Sequence, residues 1–132
     1  MVSDRVGDFI IRLQNAAMIG KGEVSLPYSA HLFAIAKKLK ELGFLTEVKT
    51  VESDAVKKTF VVTLAYDEHG VPKLRGVKRI SKPGRRLYGS YTAAHKVKGG
   101  TGARIISSPQ GIISDSEARA SRAGGEDLFE IW

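Results

Sequence analysis

The first half of the chain alternates between two apolar periods, and this alternation restricts the fold more than any other feature of the sequence. Apolar residues recur at helical spacing in segments 6–17 and 32–39. Between them, segment 23–26 alternates in the manner of a strand, and segments 44–51 and 59–66 are rich in β-branched and aromatic residues. The pattern predicts the order helix, strand, helix, strand, strand.

Capping and turn residues lie where these helices should begin and end. Asp4 or Ser3 is placed to cap the first helix, and Ser29 is placed to cap the second. Gly43 readily adopts the left-handed conformation that ends a helix. The polar segment 52–58 is predicted to be a hairpin loop between the last two strands.

The second half is predicted to be mostly β-structure broken by turns and short helices. Pro83 and Gly84 stand at the second and third positions of a four-residue turn, the arrangement of a type II turn. Ser114 and Glu117 have the spacing of a helix capping box. The other predicted elements are strands at 74–81, 86–89, 105–106 and 126–132, a turn at 109–111, a short helix after Ser90, and a last helix ended by Gly124 and Gly125.

A turn cluster at 67–70 separates the two halves at the point where the charge balance changes. With 132 residues, of which 42% are hydrophobic, the chain is long enough to bury a core. We therefore expect an α+β fold of two packed subdomains. The boundary predicts residues 1–66 as the N-terminal α+β subdomain and residues 67–132 as a β-rich subdomain with short helices.

The second half also carries most of the net charge. Residues 1–66 have a net charge of +2 and residues 67–132 have +5. Between Glu68 and Asp115, 46 consecutive residues include ten Lys and Arg and no Asp or Glu. A surface without acidic residues of its own is typical of proteins that bind an anionic partner. The segment lacks the apolar helix face that membrane adsorption needs. Its charge therefore favours nucleic acid as the partner, ahead of lipid or an acidic protein.

The residue types that carry catalysis or bind metal form no recognisable pattern. The chain has no cysteine, which excludes disulfides, thiolate zinc sites and cysteine nucleophiles. His31, His69 and His95 lack the spacing of metal ligands. Asp115 and Glu117 are explained by a helix N-terminus, where acidic groups stabilise the helix. We therefore expect no enzyme activity, no cofactor and no metal.

The sequence also predicts a cytoplasmic protein. Asp4 and Asp8 near the start argue against a cleaved targeting peptide. The longest apolar run, near residues 60–66, is too short to span a bilayer. The absence of cysteine fits a reducing compartment.

Two turns combine the residue types that recognise RNA. They lie in segments 81–88 and 107–111. We call residues 82–85 of the first segment the basic turn and residues 107–111 the serine turn. Guanidinium groups bind phosphates, hydroxyls and turn amides bind bases or 2′-hydroxyls, and the nearby Tyr88 ring can stack on an unpaired base. The alternative is that both are ordinary hairpin turns and that Tyr88 packs half-buried on the sheet. The acid-free surroundings favour binding.

A glycine-rich segment, residues 99–102, matches the GXXG loop of a KH domain. The match is weak, because the predicted helices that should flank such a loop are missing. It also lacks the Lys-Ser/Thr ending of a P-loop.

The chain resembles the ribosomal protein S8 family of the small ribosomal subunit. The resemblance extends over essentially the whole sequence in order. It rests on segments 4–9 and 12–16, on 40–44, on 80–84 with 86–88, and most specifically on Gly100, Ser107, Ser108, Gly111, 114–115, 117–119 and 124–126.

The resemblance implies a structural protein that binds an irregular stem in the central domain of small-subunit ribosomal RNA, early in assembly and beside neighbouring small-subunit proteins. In the family a Ser-Thr-Ser turn reads bases, and Ser107 and Ser108 occupy its first two places here. An alternative is a translational repressor that binds a mimic of this stem in its own messenger RNA. A nucleic-acid-modifying enzyme is a more distant alternative.

The predicted RNA-binding residues fall into four groups. Ser107, Ser108 and Gly111 are expected to read bases and sugars; Tyr88 is expected to stack or pack beside them; Lys82, Arg85 and Arg86 are expected to bind phosphate; Gly124, Gly125 and Glu126 complete the set through the resemblance. The chain departs from the family at Pro109 and Gln110 in the serine turn, and at Ala30 and Leu32 in the second helix, where lysines are usual.

Overall fold

The computed structural model describes residues 4–52, 58–89 and 102–132. These residues contain three helices and eight strands in two antiparallel sheets, which confirms the predicted α+β class. The elements are α1 Arg5–Met18, β1 Glu23–Pro27, α2 Ala30–Glu41, β2 Leu45–Glu52, β3 Lys58–Leu64, β4 Val77–Arg79, β5 Tyr88–Gly89, β6 Ala103–Ser108, β7 Gly111–Ser114, α3 Asp115–Ser121 and β8 Gly125–Ile131.

The chain packs as two compact units. Among the described residues, the N-terminal unit is Asp8–Arg75, and the C-terminal unit combines residues 4–7 with Gly76–Trp132. Residues 67–75, predicted to open the second subdomain, therefore pack with the first unit. The amide of Lys73 donates to the carbonyl of Ala65 at 2.9 Å, which folds this segment back beside β3.

The N-terminal unit has the predicted order of helices and strands. Its sheet has the order β1-β3-β2, with both pairs antiparallel. The apolar faces of the helices and of the central strand are buried, because each presents one side to a common core. The residues that form this core include Phe9, Ile10, Leu13, Leu32, Ile35, Leu39, Phe60 and Val62.

The predicted helix ends are mostly confirmed. The carboxylate of Asp4 accepts from the amide of Gly7 at 3.0 Å, so Asp4 caps α1. Gly43 adopts a φ of +92°, as the end of α2 requires. Ser29 stands at the start of α2, but its hydroxyl makes no capping hydrogen bond, and that part of the prediction is wrong.

The C-terminal unit is a five-stranded sheet of order β4-β8-β6-β7, with β5 also paired to β8. Its buried residues include Ile105, Phe129 and Ile131. A second cluster forms where Ala118 of α3 meets Ile106 and Ile113. The capping box at Ser114 and Glu117 is present as predicted and fixes the start of α3.

Two predictions for this unit are corrected. The strand predicted at 74–81 is limited to Val77–Arg79, although the amides of Ile80 and Ser81 still donate to the carbonyls of Leu128 and Asp127 in β8. Helix α3 ends at Ser121 with Arg122 in the left-handed conformation at a φ of 56°, so Gly124 and Gly125 do not end it. The loop predicted at 52–58 lies mostly outside the described residues, as do the helix after Ser90, His95 and residues 99–101.

Candidate nucleic-acid interface

The basic turn has the geometry predicted from its proline and glycine. The amide of Arg85 donates to the carbonyl of Lys82 at 2.9 Å, and the amide of Lys82 donates to the carbonyl of Arg85 at 3.1 Å. Gly84 has a φ of +83°, which a type II turn needs at its third position. Both basic side chains are exposed and make no ion pair with other residues that the structure describes. The turn thus presents two cations to solvent.

A serine hydroxyl joins the two ends of the loop that carries this turn. We call the place where Ser81 and Leu87 meet the neck of the loop. The hydroxyl of Ser81 donates to the carbonyl of Leu87 at 3.1 Å and accepts from the amide of Leu87 at 2.9 Å. The backbone of Ser81 is also held, because its amide donates to the carbonyl of Asp127 in β8 at 3.0 Å. Since Ser81 is 3% exposed, its hydroxyl serves the backbone and is not available to a ligand.

The serine turn connects β6 to β7 through Pro109 and Gln110, with Ser108 paired to Gly111 across the hairpin. The hydroxyl of Ser108 donates to the carbonyl of Gly111 at 2.8 Å and accepts from the amide of Gln110 at 3.2 Å. A hydroxyl has one proton and two lone pairs. Because the proton is already donated, Ser108 can only accept a hydrogen bond from a ligand.

Three of the predicted RNA-binding residues form one row across the sheet together with one neighbouring residue. Tyr88 of β5 is paired with Glu126 of β8, Glu126 with Ser107 of β6, and Ser107 with Ile112 of β7. Side chains of directly paired residues lie on the same face of a sheet. The fold therefore brings Tyr88, Glu126 and Ser107 together, although 38 positions separate Tyr88 from Glu126 in the sequence.

The Tyr88 side chain is free to meet a ligand. Tyr88 is 72% exposed, in contrast to the half-buried packing considered as the alternative. An exposed aromatic ring on a sheet is a common platform for an unpaired base.

Arg86 differs from the two cations of the basic turn. Its guanidinium lies 3.0 Å from the carboxylate of Glu126, and the two side chains are 57% and 14% exposed. The ion pair joins two residues that were predicted to contact RNA separately. Arg86 is therefore partly neutralised, and Glu126 is held beside Tyr88.

Gly125 has a packing role that the sequence did not reveal. A Cβ atom at Gly125 would lie 2.1 Å from the carbonyl oxygen of Ser107 and 2.9 Å from the Cα of Ser108. Both are backbone atoms, so they cannot rotate away. Only glycine lets β8 approach the strand that carries the serine turn.

A groove of about 360 Å³ lies beside the basic turn, and basic side chains line much of it. Arg79 pairs with Asp4, and this bond lowers the pKa of Asp4 from its usual value. Arg104 pairs with Glu130 at 3.0 Å. The remaining basic residues that line the groove are Lys78, Lys82 and Arg85.

Lys78 belongs to no recognisable binding motif in the sequence. Lys78 is exposed and makes no ion pair within the described ranges. The absence of acidic residues around Lys78 was a sign that it could bind an anion. The sequence alone did not distinguish Lys78 from Arg79, which is neutralised by the carboxylate of Asp4.

The described residues contain neither a metal-ligand cluster nor a membrane-spanning helix. No three His, Cys, Asp or Glu side chains among them come together as metal ligands. In the same ranges, no helix has the length and hydrophobicity needed to cross a bilayer.

Comparison with known proteins identifies the class. The model of the family "Ribosomal protein S8" matches residues 4–132. Curated relatives named small ribosomal subunit protein uS8 include those of Chloroflexus aurantiacus and Roseiflexus castenholzii, each 39% identical over 131 residues, and that of Opitutus terrae, 37% identical over 131 residues. These alignments cover 99% of this chain and 98% to 100% of each relative.

Such a match over nearly the full chain defines a structural protein class rather than an enzyme class, as the sequence predicted. The chain belongs to the ribosomal protein S8 family.

Proposed function

We propose that this protein is a structural component of the small ribosomal subunit in the cytoplasm and binds an irregular stem in the central domain of its ribosomal RNA. Membership of the S8 family and the names of the relatives support the first part of the proposal. The observation that carries the second part is the row in which the exposed Tyr88 and the half-buried Ser107 share one face of the sheet.

This face suits an irregular stem better than a regular duplex. A regular RNA duplex hides its base faces, whereas a distorted stem exposes an unpaired base that can stack on an aromatic ring. Tyr88 offers the ring, and the hydroxyl of Ser107 on the same face of the sheet offers a hydrogen bond beside it. Ser108 accepts from a base N–H or a 2′-hydroxyl, because its own proton is donated to Gly111.

The basic turn supplies the sequence-independent part of binding. Lys82 and Arg85 have no acidic partner in the described structure and would neutralise phosphates on the flank of the stem. Each phosphate contact should add roughly 0.7 to 0.9 to the slope of log affinity against log salt.

A direct test compares three RNAs bound to the full chain. The central-domain stem, a stem with the same composition but scrambled sequence, and a fully paired version of the stem would be titrated by fluorescence anisotropy at several salt concentrations. We expect the irregular stem to bind tightest and all three to show a steep salt dependence. Equal affinity for the irregular and fully paired stems would contradict the proposal.

The same surface would also accept a stem of the same shape in messenger RNA, which is the repressor alternative. Sedimentation of cell extract separates the two roles. A structural protein should sediment with the small subunit and with neighbouring ribosomal proteins, whereas a repressor would remain mainly in the fractions that contain free messenger RNA.

A further inference from the structure

The buried hydroxyl of Ser81 is a polar group that the proposed function does not yet use. Its two hydrogen bonds both go to the backbone of Leu87, six residues along the chain. Both ends of the loop between them are also fixed to one residue of β8. Asp127 accepts from the amide of Ser81 at 3.0 Å and donates to the carbonyl of Leu87 at 2.9 Å.

These bonds determine where the cations of the basic turn lie. Ile80 and Leu87 flank the neck and line the same groove as Lys82 and Arg85. Lys78 lines this groove from β4, where its backbone lies opposite that of Glu130 in β8. The three cations that have no acidic partner in the described part of the chain therefore come from two separate segments. The position of the neck relates one segment to the other.

A fixed neck lowers the cost of binding. Long basic side chains on a loop must lose conformational freedom when they contact phosphates, and an ordered loop has already lost part of it. If the Ser81 hydroxyl were missing, the backbone groups of Leu87 would lose two bonds, and the loop would sample more conformations. The expected result is weaker phosphate binding without the loss of a direct contact.

We propose that Ser81 is a positioning residue that holds the basic turn over this groove, and that the groove binds backbone phosphates of RNA with Lys78 as an additional contact. The proposal rests on the proposed function and adds to it the residue that orders the loop and the third cation. Because phosphate contacts do not depend on sequence, the groove should bind cognate and scrambled stems alike.

The test uses the full chain and four variants: Ser81→Ala, Ser81→Thr, Lys78→Gln and Ser121→Ala. Ser121 is a matched control, because its hydroxyl also donates to a backbone carbonyl, that of Glu117 at 2.7 Å, in a helix that does not line the groove. Affinity for both stems would be measured against salt at a temperature well below unfolding. Hydrogen exchange of the Leu87 amide would report the order of the neck.

We expect Ser81→Ala to speed exchange at Leu87 and to weaken binding of both stems about fivefold. Ser81→Thr should restore most of the affinity, because threonine keeps the hydroxyl. Lys78→Gln should lower the salt slope by roughly 0.7 to 0.9. Ser121→Ala should match the original protein in both measurements.

Two results would overturn the proposal. One is unchanged affinity of Ser81→Ala when exchange at Leu87 is clearly faster, because the ordered neck would then have no role in binding. The other is an unchanged salt slope of Lys78→Gln, and this arm remains decisive if Ser81→Ala fails to fold. Failure of the original protein to prefer the irregular stem would contradict the proposed function alone, since the scrambled stem still tests the groove.

Discussion

The basic turn and the serine turn are each ordered by a serine hydroxyl, but the two hydroxyls differ in their exposure to solvent. In each, a serine hydroxyl donates to one backbone carbonyl and accepts from one backbone amide. Ser81 is buried, and the side chains it holds in place are cations, whereas Ser108 is partly exposed and its turn carries no charged side chain.

The difference teaches how one residue type serves two roles. A buried hydroxyl has no access to a ligand, so Ser81 contributes order. A partly exposed hydroxyl with one lone pair left can contribute both order and recognition. We therefore expect the basic turn to set affinity for any RNA, and the serine turn to set the preference for one stem.

The largest effect is expected from Gly125→Ala, which would break the serine turn and spare the basic turn. The new Cβ would meet the backbone of Ser107 at 2.1 Å, so β6 and β8 must separate. We expect a loss of about 3 kcal/mol in the free energy of unfolding, at the upper end for overpacking. Chemical denaturation measures the loss, and the preference for the irregular stem should disappear in the folded fraction.

Gly89→Ala is the matched control, because Gly89 lies directly opposite Gly125 in the sheet. Its Cβ would meet a carboxylate oxygen of Asp127 at 2.9 Å, the end of a side chain that can move. We expect a much smaller loss of stability. Equal losses in the two variants would show that the approach of β8 to the serine turn is not the critical contact.

The next largest effect is expected from replacing Lys82 and Arg85 together by Ala. Loss of two phosphate contacts should weaken binding of cognate and scrambled stems alike, by roughly 10- to 30-fold at 0.1 M salt. Arg86→Ala should weaken binding less, because Glu126 already neutralises that guanidinium in part. A larger loss for Arg86→Ala than for the double variant would contradict this division of charge.

Ser108→Ala tests recognition by the serine turn. It removes the remaining lone pair that a ligand can use, so we expect a loss of about 1 kcal/mol on the cognate stem and little on the scrambled one. The two RNAs titrated side by side give the answer. If both lose affinity equally, the hydroxyl only orders the turn, as Ser81 orders the other.

Asp4→Asn tests the charge balance near the basic turn. The hydrogen bond from Arg79, with help from the amide of Gly7, lowers the pKa of Asp4 below 3.8. The stabilisation is therefore present above pH 3.8 and is lost as the pH falls through the lower folded value. Asparagine still caps the helix, so the variant should lose less than about 1 kcal/mol at pH 7, because Asp4 is well exposed.

The Asp4→Asn variant should also change the affinity for RNA. Arg79 would lose its anionic partner while remaining in the groove, so both stems should bind slightly tighter. Denaturation at pH 7 and near pH 3 should show that the difference in stability between variant and original protein shrinks in acid.

The smallest effect is expected from Pro109→Ser. Serine restores an amide and a hydroxyl, but it releases the fixed φ of proline and the restriction on Ser108. These opposing effects should change RNA affinity by less than about 1 kcal/mol. Stability and binding must be measured on the same variant. A larger gain in affinity would mean that proline costs this turn a contact.

Periodicity and turn chemistry predicted the elements well, because each depends on neighbouring residues. The stripes of α1 and α2, the type II turn at Gly84 and the capping box at Ser114 are all local. The sequence also placed cations, a tyrosine and two serines at the candidate interface. What it missed were contacts between distant strands.

Two contacts between distant strands and one local backbone conformation show what the sequence did not reveal. The ion pair of Arg86 with Glu126 depends on β5 and β8 being neighbours, which no local pattern reveals. The Cβ clash at Gly125 depends on the backbone of β6. The early end of α3 depends on Arg122 adopting a conformation that the sequence suggested for glycine.

The pairing of β8 with β4, β5 and β6 also affects how the protein gains its binding surface during synthesis. All three partners precede β8 in the chain, and the neck of the basic turn is held by Asp127 within it. Contacts between distant segments form only after the later segment has been made. A nascent chain that already displays the basic turn therefore lacks the ordered interface until β8 has left the ribosome.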